Sequence, residues 1–387
     1  MRIQTLILFL VASTLASSVS HGQDATPKLL AAPAQAATAD SKKEDAEKGE
    51  EKKRKPGEIV VTTVVEGLNN PFSISIADGT DRIFVAESGA QRIVEIKDAK
   101  AVEVAADFSA QTFRDYKAGP LSVCCVEGGI LLVGHDNDKG EGSLSMLKVT
   151  PNAKDPKKND VKKETILIES ESDQPKLNQF SNVMVKHAIV YVVTHGDEKN
   201  GWIALAEIKE GKVTSLKPSI ATAKLSSYPE PTCAITSPAG EYLVVSQMGK
   251  KGDAKDSRLV FYTLQGKMLR NFEVELQDIT ALAYSPSRKH LFAIDYNFAD
   301  PTKGGLYKLI GKGADKCDIK KLQDLPYITS MAFDSKGNLY LTSLGGPPTT
   351  DGKPTGKLIK IEGLDDRPVE SDKESSEGAA EGKKESA

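Results

Sequence analysis

The chain has 387 residues, 39% hydrophobic and 27% charged, enough to enclose one large core with polar ends to spare. Its 51 Lys and Arg against 54 Asp and Glu give a formal net charge of −3, which leaves no basic footprint for nucleic acid. Four cysteines, Cys124, Cys125, Cys233 and Cys317, do not make a disulfide framework and are expected to be buried, inert thiols.

The sequence opens Met1-Arg2-Ile3-Gln4, then runs apolar from Leu6 to about Ala16 and through small residues to Gly22. That layout predicts a cleavable secretory signal over 1–22 and an extracytoplasmic protein, periplasmic or secreted. The apolar part is short for a bilayer crossing, so no membrane span is expected after cleavage. Residues 23–57, rich in Ala and Pro and then in Lys and Glu, predict a disordered linker. The charged tail over 365–387 predicts the same.

Between these ends, 58–364 carries an internal repeat. Glu58 to Val65 is a strand pattern standing alone. After it a small hydroxyl inside an apolar strand recurs at Ser73, Ser122, Ser181, Thr232, Thr280 and Ser330, in steps of about 50 residues, the range of four-stranded propeller blades. The first copy runs Pro71-Phe72-Ser73-Ile74, turns at Asp78-Gly79, and continues with Ile83 to Glu87 and Arg92 to Ile96. The following copies supply second strands at Ile130 to Val133, Tyr191 to Thr194, Leu243 to Ser246 and Leu291 to Ile294. The last supplies Leu339 to Ser343 and Lys357 to Ile361. Polar fourth strands are predicted at Val102 to Phe108, Thr165 to Glu169, Lys212 to Leu216, Phe272 to Leu276 and Cys317 to Leu322. The last copy lacks one, and the strand before the first copy can fill the gap. The expected fold is all-β: a six-bladed β-propeller closed by an N-terminal strand completing the last blade, with no helix inside it.

The stretch Leu68-Asn69-Asn70-Pro71-Phe72-Ser73-Ile74 through Ile83-Phe84-Val85-Ala86-Glu87-Ser88-Gly89 resembles an NHL repeat, as does Asp334-Ser335-Lys336-Gly337-Asn338-Leu339-Tyr340. The whole repeat region is similar to the TolB-like six-bladed propellers, a group that includes gluconolactonase-type lactonases. The resemblance implies the fold and, for a lactonase, one metal held by a Glu, an Asn and an Asp. This chain departs from that pattern. Pro326-Tyr327-Ile328-Thr329 stands where the lactonase Pro-Asp-Gly motif would be, and Asn69-Asn70-Pro71 stands where Glu-Gly-Pro would be.

No nucleophile elbow, zinc-protease helix, paired C-x-x-C or phosphate loop is present. Counting from the repeated hydroxyl, the second strands end at Glu87, His135, His195, Gln247, Asp295 and Ser343. Convergence of the first five at the channel mouth would form a binding site, with imidazole and carboxylate able to hold a divalent metal or move protons. The loop Asp136 to Gly142 offers oxygen donors but reads as a polar turn rather than a Ca²⁺ site. Longer loops follow His195, Met248 and Asn297 on the same face. Arg92 and Arg258 are expected to pair structurally, and Trp202 to pack between blades. The expected function is an exported, monomeric, non-enzymatic module whose loop face binds a protein or an extracellular polymer. The alternative is a metal-dependent lactonase or hydrolase using Glu87, His135, His195 and Asp295.

Overall fold

The computed structural model describes residues 58–113, 116–149, 163–169, 176–195, 201–248, 255–312 and 316–365. The expected signal, linker and most of the tail lie outside these residues, as do the centres of the loops after His195 and Met248.

The strands of the described chain pair almost entirely antiparallel. Strand β1 (Val60–Leu68) precedes a first sheet of β2 (Pro71–Ala77), β3 (Arg82–Glu87), β4 (Arg92–Lys97) and β5 (Lys100–Ala105). A small hairpin, β6 (Gln111–Phe113) and β7 (Tyr116–Ala118), comes next. The second sheet holds β8 (Ser122–Val126), β9 (Ile130–Asp136), β10 (Gly142–Lys148) and β11 (Lys163–Ile166). The third holds β12 (Phe180–Lys186), β13 (Ile189–Thr194), β14 (Trp202–Lys209), β15 (Lys212–Val213) and β16 (Lys217–Ile220). A five-residue helix, α1 (Thr222–Ser226), follows where no helix was expected.

A long sheet then forms in two halves. The first is β17 (Glu230–Thr236), β18 (Tyr242–Met248), β19 (Arg258–Thr263) and β20 (Met268–Glu273). The second is β21 (Ile279–Tyr284), β22 (Leu291–Asp295), β23 (Gly305–Lys312) and β24 (Lys316–Asp324). They join through one parallel bridge between Glu273 and Lys316. The last sheet is β25 (Ile328–Phe333), β26 (Leu339–Ser343) and β27 (Gly356–Glu362), with β1 as its fourth strand. Val60 pairs with Glu362 and Leu68 with Gly356, so the strand before the repeat completes the last sheet as its pattern suggested.

These strands form because short β-branched and aromatic runs meet turns that demand unusual backbone. Gly337, at φ +83° in the turn before β26, is one position where a side chain would be strained. Their near-continuous hydrophobicity reflects burial on both faces. One apolar layer lies between each pair of neighbouring sheets: Phe84 with Leu131, Leu144 with Phe180, Tyr191 with Tyr262, Val244 with Leu282, Phe292 with Leu339, and Val85 with Leu358. Each such side chain contributes about 1.5–3 kcal/mol on burial. The layers return to their start, so the sheets close on themselves.

The register corrects the sequence-based alignment. Each inner strand except β8 carries a bulge, and the unpaired residues are Phe72, Ser181, Thr232, Thr280 and Thr329. Ser73 and Ser330 sit one residue further, so the hydroxyls read as one repeated position occupy two. The bulge hydroxyls clasp adjacent sheets. Ser181 Oγ donates to Thr232 O (3.0 Å), Thr232 Oγ1 to Ile279 O (2.5 Å) and Thr329 Oγ1 to Pro71 O (2.8 Å). Ser122 Oγ, at the matching place in β8, donates to Phe180 O at 2.7 Å. The outer strands also shift: β5 and β20 begin earlier than predicted, and the third sheet divides its edge between β15 and β16.

Candidate functional site

The same register sorts the predicted site residues into two rings. Glu87 pairs with Pro71, Gln247 with Pro231, Asp295 with Ile279 and Ser343 with Ile328. Their counterparts in the second and third sheets are Gly134, opposite Ser122, and Thr194, opposite Phe180. His135 and His195 therefore stand one residue beyond this ring, beside Ser88, Met248, Tyr296 and Leu344. The expected convergence of Glu87, His135, His195, Gln247 and Asp295 does not occur.

The first ring is a set of structural ties. Asn69 N–H donates to Glu87 Oε1 at 2.7 Å, and Thr194 Oγ1 donates to Asn178 O at 2.7 Å. Gln247 Nε2 donates to Tyr228 O (3.0 Å), Asp278 N–H donates to Asp295 Oδ1 (2.8 Å), and Ser343 Oγ donates to Pro326 O (3.2 Å). Each fixes the loop that leads into its own inner strand. Glu87 is further held by Arg92 Nε at 2.7 Å, and Arg258 pairs with Glu273 while stacking over the Tyr228 ring. Both arginines are structural, as expected. Burial pushes the Asp295 carboxyl up, against three backbone amides that favour its charged form.

His135 is also locked. Its Nδ1 lies 3.0 Å from Asp136 O, which can only accept, so Nδ1 carries the proton. Nε2 then accepts from the Ser145 hydroxyl at 2.9 Å. Burial, opposed by the Asp136 carbonyl and joined by Lys163, pushes its pKa down to about 4. Both nitrogens are thus committed inside the second sheet. The neighbouring loop is a turn organised by Asn137, whose Oδ1 accepts from the amides of Lys139 and Glu141. Among the described residues no three His, Cys, Asp or Glu side chains converge as a metal-ligand group. The four cysteines are free thiols, with burial raising Cys124 to about 12 and Cys125 to about 11.

His195 differs. It lines a small cavity on the central axis, about 60 Å³, together with Met248, Tyr296 and Leu344 from its own ring. The bulge residues Phe72, Ser181, Thr232, Thr280 and Thr329 line it too. His195 Nδ1 lies 3.6 Å from Glu230 Oε2, and both side chains are largely buried. Asp136, at the end of β9, accepts from Gln179 N–H at 2.7 Å. Burial raises the Asp136 carboxyl, while the Gln179 amide and the charge of His195 lower it. The hairpin β6–β7 covers the cavity: Tyr116 OH meets Tyr296 OH at 2.7 Å across the axis. Burial, and then Tyr116, push the Tyr296 phenol well above its ordinary range.

Thr280 breaks the clasp pattern. Its Oγ1 is shielded from solvent and finds no protein partner among the described residues, although it lines the cavity. An orphaned buried hydroxyl costs about 1–3 kcal/mol, and a water or a ligand hydroxyl would satisfy it. Glu230 and Thr280 were missed as site residues, and so was the hairpin.

No family model matches the sequence, and no curated protein does. Solved structures do match. The PQQ-bound aldose sugar dehydrogenase of Streptomyces coelicolor superposes with a TM-score of 0.55 at 11% identity, covering 79% of this chain and 99% of that one. A gluconolactonase from Xanthomonas campestris gives 0.53 at 9% identity, covering 79% and 90%. A luciferin-regenerating enzyme gives 0.51 at 14% identity, covering 79% and 96%. The fold is of the β-propeller type. The expectation of a non-enzymatic binding module is corrected by this finding: the neighbours on the fold are enzymes. Among the described residues no helix is long and apolar enough to cross a membrane.

Proposed function

We propose that the protein is an enzyme that uses His195 as general acid–base in the axial cavity, acting on a small uncharged cyclic ester of the sugar-lactone class. The observation that carries this is the His195–Glu230 pair: an imidazole at the cavity wall with a carboxylate 3.6 Å from its Nδ1. The carboxylate orients the ring and stabilises the imidazolium that forms when His195 takes a proton. In the reaction, His195 accepts the proton of a water whose oxygen bonds to the ester carbon. The ring C–O bond then breaks, and the same proton passes to the leaving oxygen, giving a hydroxy acid. Thr280 Oγ1 offers a hydrogen bond to a substrate hydroxyl.

The residues present do not fit a divalent metal, because Glu87, His135 and Asp295 are spent on the contacts described above. Nor do they fit a quinone cofactor of the kind bound by the Streptomyces enzyme. That group is a tricarboxylate, and no Lys or Arg lines the cavity. At about 60 Å³ the cavity holds about two waters, so substrate must displace the β6–β7 hairpin. In this reading each half of the long sheet is one blade of a six-bladed propeller over 58–364, of NHL or TolB-like type. The leader over 1–22 would export it.

The test is hydrolysis of a panel of aldonolactones by the purified protein, followed by acid release. His195→Gln is expected to lower kcat by about 10²–10⁴-fold. A wild-type protein without turnover, or a variant as active as wild type, would overturn the proposal.

A further inference from the structure

A second and much larger cavity, about 970 Å³, lies away from the axis in the wedge between the two halves of the long sheet. Its floor is apolar and aromatic. Phe261 meets Phe272 edge-on at 5.1 Å and lies tilted against Tyr242 at 5.7 Å, with Leu259, Leu291 and Leu309 beside them. The β20–β24 bridge joins the two halves beside it. At its rim Leu269 and Ile310 stay 49% and 39% exposed.

The Lys, Arg, Asp and Glu side chains that line this cavity are all cationic. Arg270 comes from β20, Arg288 and Lys289 from the turn before β22, and Lys308 from β23, where its Nζ lies 3.3 Å from His290 Nε2. No Asp or Glu lines the cavity, and among the described residues no carboxylate pairs with the guanidinium of Arg270 or Arg288. The turn bearing Arg288 is held in place, since Asp365 accepts from the backbone amides of Ser287 (2.8 Å) and Arg288 (3.1 Å). The corresponding wedge between the third sheet and the long sheet is smaller, about 620 Å³, and there Glu207 pairs with Lys209. The two wedges differ in that only the larger has two arginines and no carboxylate in its lining.

We propose that this wedge is a binding site for a small amphipathic organic anion: a flat or aliphatic apolar body on the aromatic floor, and a carboxylate or sulfonate head between Arg270 and Arg288. A guanidinium matches such a head with two parallel hydrogen bonds. The volume is that of a site for a ligand of drug size. A bare inorganic anion would leave the floor wet, and an uncharged hydrocarbon would leave the arginines without a counterion.

The experiment titrates the whole protein with 1-anilinonaphthalene-8-sulfonate, reading fluorescence, beside its uncharged relative N-phenyl-1-naphthylamine. One-to-one binding of the sulfonate is expected, with the uncharged probe weaker by about tenfold or more. Arg270→Gln/Arg288→Gln should weaken the sulfonate by about tenfold while melting at the wild-type temperature, since both side chains are exposed. Leu269→Ser should weaken both probes, and Lys186→Gln, in the other wedge, neither. Equal affinity for the two probes, or a double variant that binds the sulfonate like wild type, would overturn the site. The readout does not involve turnover, so it stands or falls apart from the role of His195.

Discussion

His135 and His195 occupy the same place in consecutive sheets, one residue past Gly134 and Thr194 of the first ring, and are put to opposite uses. In the second sheet the imidazole turns into protein, where Asp136 O and Ser145 take both nitrogens. In the third it faces the axial cavity, with Glu230 behind it. What differs is the surroundings. Ser145 lies opposite the second strand in β10 and supplies a partner for His135, and Phe108 packs edge-on against its ring at 5.1 Å. His195 instead meets a carboxylate at the start of β17, the inner strand that follows. A repeated scaffold offers the same position several times, and the neighbour decides whether it serves stability or chemistry.

The comparison breaks if the two histidines respond alike to removal. His135→Ala deletes two buried hydrogen bonds and the Phe108 contact, and orphans Ser145; a loss of about 3–4 kcal/mol is expected. His195→Ala borders a cavity already and should cost less by about 2 kcal/mol or more. Urea denaturation of both variants reads the difference, and equal losses would show that His195 is as structural as His135.

Acid sharpens the same contrast. The His135 pKa is about 4 in the folded protein, below the unfolded value of about 6.5, so the folded state resists its protonation. Its contribution is complete above the unfolded pKa, falls away as pH drops from about 6.5 to 4, and changes no further below that. The shift corresponds to about 3 kcal/mol. His135→Gln should therefore close the stability gap to wild type by about that amount between pH 7 and pH 4. A gap that stays constant across this window would mean that His135 is not held neutral by the fold.

The sheets, their order and the completion of the last one by β1 were legible in the sequence, because strand patterns and turn residues are local signals. The register was not. A bulge moves every later pairing by one residue without changing composition, so counting from a hydroxyl placed Glu87 and His195 in one ring when they belong to two. Gly134 shows how silent the signal is: it holds the Glu87 position in the second sheet, where a Cβ would come within 2.4 Å of Ser122 Oγ. Glu230 lies inside Tyr228-Pro229-Glu230-Pro231, where no site residue was expected. The proline after it disfavours helix and holds Glu230 extended at the start of β17, a hint that an acidic side chain was being positioned. The β6–β7 hairpin was missed because Gln111 to Ala118 has almost no apolar alternation to distinguish it from a loop.

The clasps extend the contrast to threonines. Thr232 and Thr280 hold the same bulge position, but Thr232 Oγ1 reaches Ile279 O and Ser246 Oγ, while Thr280 Oγ1 has no protein partner among the described residues. Thr232→Val should cost about 1–3 kcal/mol, since it strands buried acceptors; Thr280→Val should be neutral or stabilising. Differential scanning calorimetry of the pair decides it. If both variants lose stability equally, Thr280 is a clasp like the others and its hydroxyl is not reserved for the cavity.

The smallest effect concerns what separates His195 from solvent. Tyr116→Phe removes only the 2.7 Å hydroxyl contact with Tyr296, leaving the edge contact of ring 116 with Phe72, 6.2 Å between centroids. One partly buried hydrogen bond is worth about 0.5–1.5 kcal/mol, so the melting temperature should barely move. If the hairpin must lift for a substrate to reach His195, that same energy leaves the opening step, and kcat/KM for an accepted lactone should rise by about two- to tenfold. His135→Gln, buried within the second sheet, should leave kcat/KM unchanged. A Tyr116→Phe protein with wild-type kcat/KM would mean that the phenol pair does not guard the cavity, and that access to His195 lies along the axis from the other end.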